Sequence, residues 1–426
     1  MDGIKKVAAT NSFNSQQFWQ KRSSFFYFLA ILMVFVFIAT AFPGALFVSW
    51  DANTETDLAG YKIYYGTQSA TYNSSVDVGN TTSYILDNLV EGQTYYIVLT
   101  AYDQSGNESV PSNEVSAVVT GPEVYLKLTD QGLSLQWTPY DGADSYEIYK
   151  DSQPYFSPTT PVASVTGNSY TDAAFEQVAN TGSYYIIKAL ANGQELYTFD
   201  TVGAYTIPIQ KGRNLISLPF VPSDSTLNGA FGDQLTGGSQ GVTAAKVMIW
   251  NGNGYDVAWK VDGTGTSYDG KWMNEAGNAI STMHVKPDMS FWVVVRPSHT
   301  DSLLTLNGKI STDSNRVITL TKGANFIGTC YPVEVSLDSS ELYKDHVVIG
   351  SSSAAGADKI MHWIGSGNNY EAAWLVDGTG TTYDGKWMNE KGTGLSTISF
   401  KPGHGYILWI KNDNPNKIWT YPNPNL

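Results

Sequence analysis

The chain has very little cysteine and few charged residues for its length. Cys330 is the single cysteine among 426 residues, so an internal disulfide is impossible, and no Cys/His cluster has the spacing of zinc ligands. Charged residues make up 15% of the sequence, which is a low share for a globular protein. The sequence therefore excludes a disulfide-stabilised scaffold and the common zinc modules.

Motifs that define the common enzyme classes are also missing. There is no H-E-x-x-H and no glycine-rich loop of the kind that binds nucleotides. The histidines are scattered along the chain, as His284, His299, His346, His362 and His404. We therefore expect a protein that is not an enzyme. The paired carboxylates of a glycosidase come together in space rather than in sequence, so a hydrolase stays open as an alternative.

Positive charge is scarce as well. The formal net charge is −14 at pH 7. Residues 1–41 carry four basic side chains against Asp2, a net +3, so the remainder of the chain carries −17. Such an acidic chain is poorly suited to nucleic acid or to an anionic membrane surface. We expect an extracellular protein or a polysaccharide as the partner, with membrane contact only through the N-terminal segment.

The single long apolar run lies near the N-terminus. Lys21 and Arg22 precede an apolar stretch from Phe25 to Ile38, and Ala39-Thr40-Ala41 follows it. A positive flank, a short apolar core and an A-x-A site predict a secretory signal peptide over residues 1–41, cleaved after Ala41. Because the stretch approaches membrane-spanning length, an uncleaved anchor helix is the alternative. Either one places the rest of the chain at the cell surface or outside the cell.

The residues that the chain does have in quantity are tyrosine, tryptophan and glycine, at 27, 12 and 40 positions. Aromatic residues favour strands, and glycine favours the tight turns between them. Helical periodicity is confined to two short stretches, near Leu227–Leu235 and Ser336–Lys344. A chain of this length is too long for one core. We therefore predict an all-β protein of several domains behind the N-terminal segment.

One fifteen-residue stretch occurs twice. Val261–Glu275 reads VDGTGTSYDGKWMNE and Val376–Glu390 reads VDGTGTTYDGKWMNE, identical at fourteen positions with an offset of 115 residues. The flanks match more loosely, from a G-x-N-[LF]-I stretch at the start to a K-P pair before an aromatic strand at the end. Self-similarity at a fixed spacing indicates duplicated domains. We predict two β-rich repeat domains, repeat A over residues 207–312 and repeat B over residues 313–426.

Residues 46–120 carry the pattern of a β-sandwich with a tyrosine corner. Trp50 ends a short apolar strand, and alternate apolar residues follow from Tyr95. Leu89 to Tyr95 matches the corner in which a phenol hydrogen-bonds back to the preceding loop. The segment resembles a bacterial fibronectin type III domain, which implies a β-sandwich. The first strand of that family is expected to be short or missing here, because the signal sequence runs almost directly into the Trp50 strand.

A second, more diverged copy follows over residues 122–206. A strand ending at Trp137, a Tyr146-Glu-Ile148-Tyr149 strand and a tyrosine-rich strand at Tyr184 come in the same order, and they again resemble fibronectin type III. In that family the tryptophan and the corner tyrosine are core residues. The resemblance therefore implies no functional role for Trp50, Trp137, Tyr95 and Tyr184. It implies modules that serve mostly as spacers and binding surfaces.

Four aspartates of the duplicated stretch are candidate calcium ligands. Asp262 and Asp269 stand seven apart among glycines, and Asp377 and Asp384 repeat them. Carboxylates on a glycine-rich loop can bind calcium, although the spacing does not match the D-x-[DN]-x-[DN]-G loop. The alternative is that these residues close Asp-Gly turns, which is their commonest structural use. No other cofactor is expected.

The duplicated stretch and the strand before it also offer aromatic side chains in both copies. The candidates for stacking on sugar rings are Trp259, Tyr268 and Trp272 in repeat A, and Trp374, Tyr383 and Trp387 in repeat B. The alternative is that these rings fill the core of a small β-domain. Two identical weak sites on one chain would raise avidity without tight individual binding.

These features predict a secreted or cell-surface bacterial protein of tandem β modules, which acts in binding, adhesion or scaffolding without catalysis. The first alternative is a carbohydrate-binding protein that uses the aromatic hairpins of the repeats. The second is an extracellular hydrolase with an unrecognised site. Exposed, coplanar Trp259 and Trp272 would favour the first alternative, and a deep pocket with two close carboxylates would favour the second.

Overall fold

The computed structural model of the chain describes residues 34–37, 46–50, 53, 55, 57–81, 83–86, 89–90, 92–119, 121–266, 268–365, 369–411 and 417–425. They contain thirty strands, one five-residue α-helix and two short 3-10 helices. The fold is therefore all-β with almost no helix, as predicted. The chain divides into two compact units, residues 1–123 with 137–144 and residues 124–136 with 145–426.

The first unit contains a β-sandwich. Its strands are β1 (Val34–Phe37), β2 (Leu46–Trp50), β3 (Leu58–Gly66), β4 (Ser74–Gly79), β5 (Ser83–Leu86), β6 (Thr94–Asp103) and β7 (Val115–Val118). They form two sheets, ordered β1-β2-β5 and β4-β3-β6-β7. The rings of Trp50 and Tyr61 meet edge to face in the core, with 5.4 Å between their centroids. Trp50 is thus a core residue, as the resemblance implied.

Strand β6 follows the alternation that the sequence predicts. Tyr95, Ile97, Leu99 and Ala101 are buried together in the core, because alternate side chains of a strand point to the same face. The backbone N–H of Val90 donates to the Tyr95 hydroxyl at 3.2 Å. This bond is the predicted tyrosine corner.

The predicted signal or anchor helix is not supported where the structure describes that segment. Val34–Phe37 form β1, which pairs antiparallel with β2 and places Val36 opposite Val48. A first sandwich strand of four residues is therefore present, in keeping with the expectation that this strand is short or missing. The rest of residues 1–41 lies outside the described residues. None of the helices in the described ranges has the length and apolarity needed to cross a membrane.

The second predicted sandwich is built from eight strands. They are β8 (Val124–Thr129), β9 (Gly132–Trp137), β10 (Ser145–Asp151), β11 (Ala163–Val165), β12 (Ser169–Asp172), β13 (Thr181–Ala191), β14 (Gln194–Thr198) and β15 (Val202–Pro208). One sheet has the order β12-β9-β8, and the other runs β11-β10-β13-β15, with β14 also pairing β13. Trp137 and Tyr184 are buried, as predicted.

Repeat A and repeat B contain sheets of the same strand order. Repeat A consists of β16 (Gly212–Ser217), α1 (Leu227–Phe231), β17 (Lys246–Trp250), β18 (Tyr255–Lys260), β19 (Trp272–Asn274), β20 (Ser290–Val295) and β21 (Leu303–Lys309). Its sheet runs β16-β20-β17-β18-β19. Thr226 caps α1 by accepting the backbone N–H of Gly229 at 3.1 Å. The helix begins where the sequence shows its first helical periodicity.

Repeat B has a 3-10 pair where the second periodicity lies. Its elements are β22 (Asn315–Leu320), β23 (Gly323–Ile327), β24 (Val335–Ser336), two 3-10 helices (Asp338–Ser340 and Lys344–His346), β25 (Lys359–Gly365), β26 (Asn369–Leu375), β27 (Trp387–Asn389), β28 (Ser399–Phe400), β29 (Tyr406–Ile410) and β30 (Lys417–Pro422). The sheet runs β23-β29-β25-β26-β27, strand for strand the order of repeat A.

Strand β15 is shared by the second sandwich and repeat A. It pairs with β13 of the second sandwich on one side and with β21 of repeat A on the other. In repeat B, β22 pairs with β30 in the same register: Asn315 opposite Pro422 corresponds to Ala204 opposite Asn307. β15 is therefore the last strand of the sandwich and also the first strand of repeat A. The domain boundary predicted between residues 206 and 207 falls inside this strand.

The two repeats pack against each other reciprocally. The backbone N–H of Ser217 in repeat A donates to the carbonyl oxygen of Gly403 in repeat B at 3.1 Å. Gly328, the counterpart of Ser217, donates to the carbonyl oxygen of Asp288, the counterpart of Gly403, at 3.3 Å. Because equivalent groups exchange equivalent bonds, an approximate two-fold axis relates the repeats.

Candidate functional site

The duplicated stretch folds into the same loop in both repeats. In repeat B the carboxylate of Asp384 accepts the backbone N–H of Thr379 at 3.0 Å, the backbone N–H of Gly380 at 2.8 Å and the Thr379 hydroxyl. In repeat A, Asp269 accepts the equivalent three bonds from Thr264 and Gly265. One carboxylate thus closes each loop by bonding across it.

These bonds perturb the loop carboxylates. The Thr379 hydroxyl and backbone N–H hold the pKa of Asp384 below its usual range, and Thr264 does the same to the pKa of Asp269. Asp262 accepts the backbone N–H of Gly263 at 2.8 Å, and Asp377 is anchored by its own backbone N–H, which donates to Ser351. The carboxylate bonds of Asp262, Asp269 and Asp384 favour the turn interpretation of these three candidate calcium ligands.

The arrangement of the possible metal-ligating side chains also bears on the predicted calcium sites. Across the described part of the chain, no group of three or more His, Cys, Asp or Glu side chains is placed to hold a metal ion. Both oxygens of Asp269 and Asp384 already accept bonds from their own loops. Calcium binding at Asp262, Asp269, Asp377 and Asp384 stays a prediction from the sequence.

The aromatic candidates divide into buried and exposed groups. The four tryptophans are less than one-tenth exposed, namely Trp259, Trp272, Trp374 and Trp387. Tyr268 and Tyr383, by contrast, are 47% and 50% exposed. A buried ring cannot serve as an open stacking platform, so the burial argues against this role for the four tryptophans. The two tyrosines, one on each loop, are the candidates that reach the surface.

A shallow groove of 260 Å³ lies beside Tyr383 in repeat B. Its lining consists of Trp374, Val376, Thr379, Thr381, Tyr383, Met388, Gly392 and Thr393. The indole N–H of Trp374 donates to the carbonyl oxygen of Asn389 at 3.0 Å, which fixes the ring that forms part of the wall. Gly392 has a φ of 66° and its Cβ position is 3.5 Å from the Trp374 ring. A side chain there would be strained by the positive φ, although its Cβ would make only an ordinary van der Waals contact with that ring.

Repeat A carries the same loop, with less space between its glycine and its tryptophan. Its loop has the same threonine and aspartate bonds, and Tyr268 takes the place of Tyr383. The Cβ position of Gly277 is only 3.0 Å from the Trp259 ring, against 3.5 Å for Gly392 in repeat B. The two loops make the same bonds, but they differ in the space between the glycine and the tryptophan ring.

The fold brings together two histidines that the sequence shows as unrelated. The His362 Nε2 and His404 Nδ1 atoms are 3.1 Å apart, and the His362 ring stacks on Tyr406 with 5.0 Å between centroids. Burial, with a smaller contribution from the Lys401 ammonium, lowers the pKa of each histidine to about 4. Both are neutral at neutral pH. Their separation of 42 residues and their lack of a repeat counterpart gave no sequence signal.

A larger groove of 680 Å³ lies where the second sandwich meets both repeats. It is lined by residues from five segments, within 152–154, 180–184, 205–208, 332–334 and 401–404. Of its lining residues, only Glu334 carries a carboxylate, and Lys401 and His404 lie in the same lining. Sequence reasoning missed this groove, because its segments come together only through β15 and the packing of repeat B.

A family model described as the fibronectin type III domain matches residues 40–118. The chain therefore contains a fibronectin type III domain, where the resemblance of residues 46–120 placed it. Such domains occur in binding or scaffolding proteins and in glycoside hydrolases, and they are commonly extracellular. A second such domain over residues 122–206 stays a prediction.

Three curated proteins are similar to parts of the chain. A Kelch domain-containing protein of Saccharolobus solfataricus is 37% identical over 86 residues, which are 19% of this chain and 12% of that protein. A Kelch domain-containing protein of Sulfurisphaera tokodaii is 33% identical over 87 residues, 20% of this chain and 12% of that protein. Exoglucanase B of Cellulomonas fimi is 26% identical over 167 residues, 34% of this chain and 14% of that enzyme. The chain thus spans only a small part of each relative.

Among solved structures, a two-domain fibronectin type III segment from chicken tenascin is similar to the chain. It is 19% identical, and the match covers 38% of this chain and 94% of the tenascin segment with a TM-score of 0.18.

Proposed function

We propose that this chain is a non-catalytic binding protein, exported from a bacterial cell, that acts in adhesion or scaffolding. One observation carries the proposal: each repeat presents an exposed tyrosine, Tyr268 or Tyr383, on a loop closed by the same aspartate and threonine bonds. An exposed tyrosine on an ordered loop provides contact area at low entropic cost. The fibronectin type III domain fits such a role as a spacer or binding surface.

Two equivalent sites on a pair of repeats that pack together suit a partner with a repetitive structure. The reciprocal bonds between Ser217 and Gly403 and between Gly328 and Asp288 hold the repeats together. A partner that engages both loops gains effective concentration from the second contact, so weak individual sites suffice. An extracellular polymer or a dense protein layer has this repetitive character.

Carbohydrate binding at the loops is the second candidate. The groove beside Tyr383 places an aromatic ring next to the hydroxyls of Thr379, Thr381 and Thr393, a combination that suits the apolar face and the hydroxyls of a sugar. The similarity to Exoglucanase B, although it covers 14% of that enzyme, is compatible with a polysaccharide partner.

A hydrolase has less support. Retaining and inverting glycosidases generally need two carboxyl groups facing one bond, and the lining of the 680 Å³ groove includes the single carboxylate of Glu334. Turnover of any polysaccharide by the purified chain would overturn the non-catalytic proposal.

Export rests on the positive flank, the apolar run and the A-x-A site before residue 42. The proposal expects the protein in the secreted or surface fraction of the producing cell. Recovery of the full-length protein in the cytosolic fraction would contradict it.

The loop variants Tyr268→Ala, Tyr383→Ala and the double variant test the binding site. Glycan arrays and immobilised extracellular-matrix proteins serve as probes, with and without calcium chloride. We expect each single variant to weaken binding moderately and the double variant to lower it by more than about tenfold, because avidity is lost. Trp409→Ala is the matched control, since Trp409 is 45% exposed but lies outside the groove. Undiminished binding by the double variant would refute the loop sites.

A further inference from the structure

The 680 Å³ groove at the junction of the second sandwich and the two repeats has the size of a ligand site. Ligand pockets commonly measure about 300–1,000 Å³ and favour the places where domains meet. Its walls come from the sandwich, from the shared strand β15 and from repeat B. The groove is thus assembled by the fold, apart from the two duplicated loops.

The floor of this groove is held in a fixed position. Tyr184 packs over two glycines, since a Cβ on Gly182 would lie 2.3 Å from its hydroxyl oxygen and a Cβ on Gly203 would lie 2.5 Å from its ring. The Tyr184 hydroxyl donates to the carbonyl oxygen of Pro332 in repeat B at 3.3 Å. This tyrosine therefore joins the sandwich to repeat B, and the groove is formed before any ligand arrives.

Several polar groups of the groove are available to a ligand. Among the described residues, the Lys401 ammonium, the Tyr205 hydroxyl and the Asn180 amide have no hydrogen-bond or ion-pair partner. Glu334 accepts the Ser399 hydroxyl through one carboxylate oxygen, and its other oxygen has no such bond within the described ranges. These groups supply a cation, an anion, a phenol and an amide around one cavity.

We infer that the junction groove binds a segment of a neutral oligosaccharide. The partly buried Tyr205 ring suits the apolar face of a sugar ring, and Lys401, Glu334 and Asn180 suit its hydroxyls, as donor, acceptor and both. One cation and one carboxylate balance each other in the lining. The net charge of −14 disfavours a polyanionic chain. The inference does not depend on the loops at Tyr268 and Tyr383.

Calorimetric titration of the full chain with cellohexaose, xylohexaose, laminarihexaose and chitohexaose tests this site. We expect at least one of them to bind, and we expect Lys401→Gln and Glu334→Gln each to lower its affinity about tenfold or more, as losing a charged hydrogen bond does. Lys286→Gln is the matched control. It removes the same lysine from the same Lys-Pro pair in repeat A, outside the groove lining.

The double variant Tyr268→Ala/Tyr383→Ala separates this site from the loop sites. Affinity that survives in this variant and falls in Lys401→Gln supports the groove even if the loops bind nothing. The inference is overturned if none of the four oligosaccharides binds, or if Lys401→Gln and Glu334→Gln bind like the parent while melting normally. It is also overturned if Lys286→Gln weakens binding equally, or if a proline-rich peptide probe occupies the groove and the sugars do not.

Discussion

The axis between the repeats makes Gly328→Ala a sharp test of their packing. Gly328 of repeat B faces its own counterpart, Ser217 of repeat A, and a Cβ on Gly328 would lie 2.1 Å from the Ser217 Cβ. Gly405 faces its counterpart Ser290 in the same way, at 2.5 Å. A residue on a two-fold axis meets its own equivalent, so only one member of each pair has room for a side chain.

The size of the effect follows from this distance. Non-bonded carbons rest about 3.5–4.0 Å apart, so the new methyl group must push the two backbones apart by roughly 1.5 Å. That movement strains the flanking bonds from Ser217 to Gly403 and from Gly328 to Asp288. Overpacking costs about 1–3 kcal/mol, and a Cβ cannot rotate away. We therefore expect Gly328→Ala to lower the free energy of unfolding by about 3 kcal/mol, measured by urea denaturation.

A control variant and a double variant that exchanges the two residues test the same packing. Gly394→Ala should change stability by less than about 0.5 kcal/mol, because the nearest atom to its Cβ position is 3.7 Å away. Ser217→Gly combined with Gly328→Ser moves the side chain to the other repeat, where the carbonyl oxygen of Met289 lies 3.5 Å from the new Cβ. The swap should regain most of the stability lost by Gly328→Ser alone. A parent-like Gly328→Ala, or a swap no better than the single change, would refute the two-fold packing.

Three further outcomes are expected. Tyr95→Phe removes the bond to the Val90 N–H and should destabilise the first unit by about 1 kcal/mol in thermal unfolding; an unchanged melting temperature would contradict the corner. Burial lowers the pKa of His404 to about 4 from 6.5, so the stability tied to its neutral form is complete above pH 6.5 and is lost as pH falls toward 4. His404→Asn should flatten the decline in melting temperature across that window, and a slope equal to that of the parent would count against the assignment. Asp384→Ala should speed amide exchange at Gly380 on the order of tenfold, because the carboxylate accepts that N–H; unchanged exchange would show that the carboxylate does not close the loop.

Local patterns in the sequence determined the class of this fold. The alternation from Tyr95 to Ala101 predicted a strand, and the six residues before Tyr95 predicted its corner bond. The duplicated stretch predicted two equivalent loops, which the structure shows with equivalent aspartate bonds at Asp269 and Asp384. These features depend on neighbours within a few residues, so the sequence alone specifies them.

Tertiary structure decided which of the candidate groups reach the surface. Residue type does not distinguish Trp374 from Tyr383 as a sugar platform, but packing buries the first and exposes half of the second. The same holds for strand β15, whose residues read as the end of one domain while its two edges pair with both the sandwich and repeat A. The local sequence of a strand does not determine with how many neighbouring strands its two edges will pair.

The junction groove and the two-fold packing of the repeats are the features that the sequence predicts least. Lys401, Glu334 and Tyr205 are distant along the chain and meet only when β15 joins the sandwich to repeat A and repeat B packs beside them. Ser217 opposite Gly328 looks like ordinary divergence between two copies until the two-fold packing sets one residue against the other. Each brings together segments that are distant along the chain, and such contacts are fixed by how whole sheets pack rather than by the residues beside them in the chain.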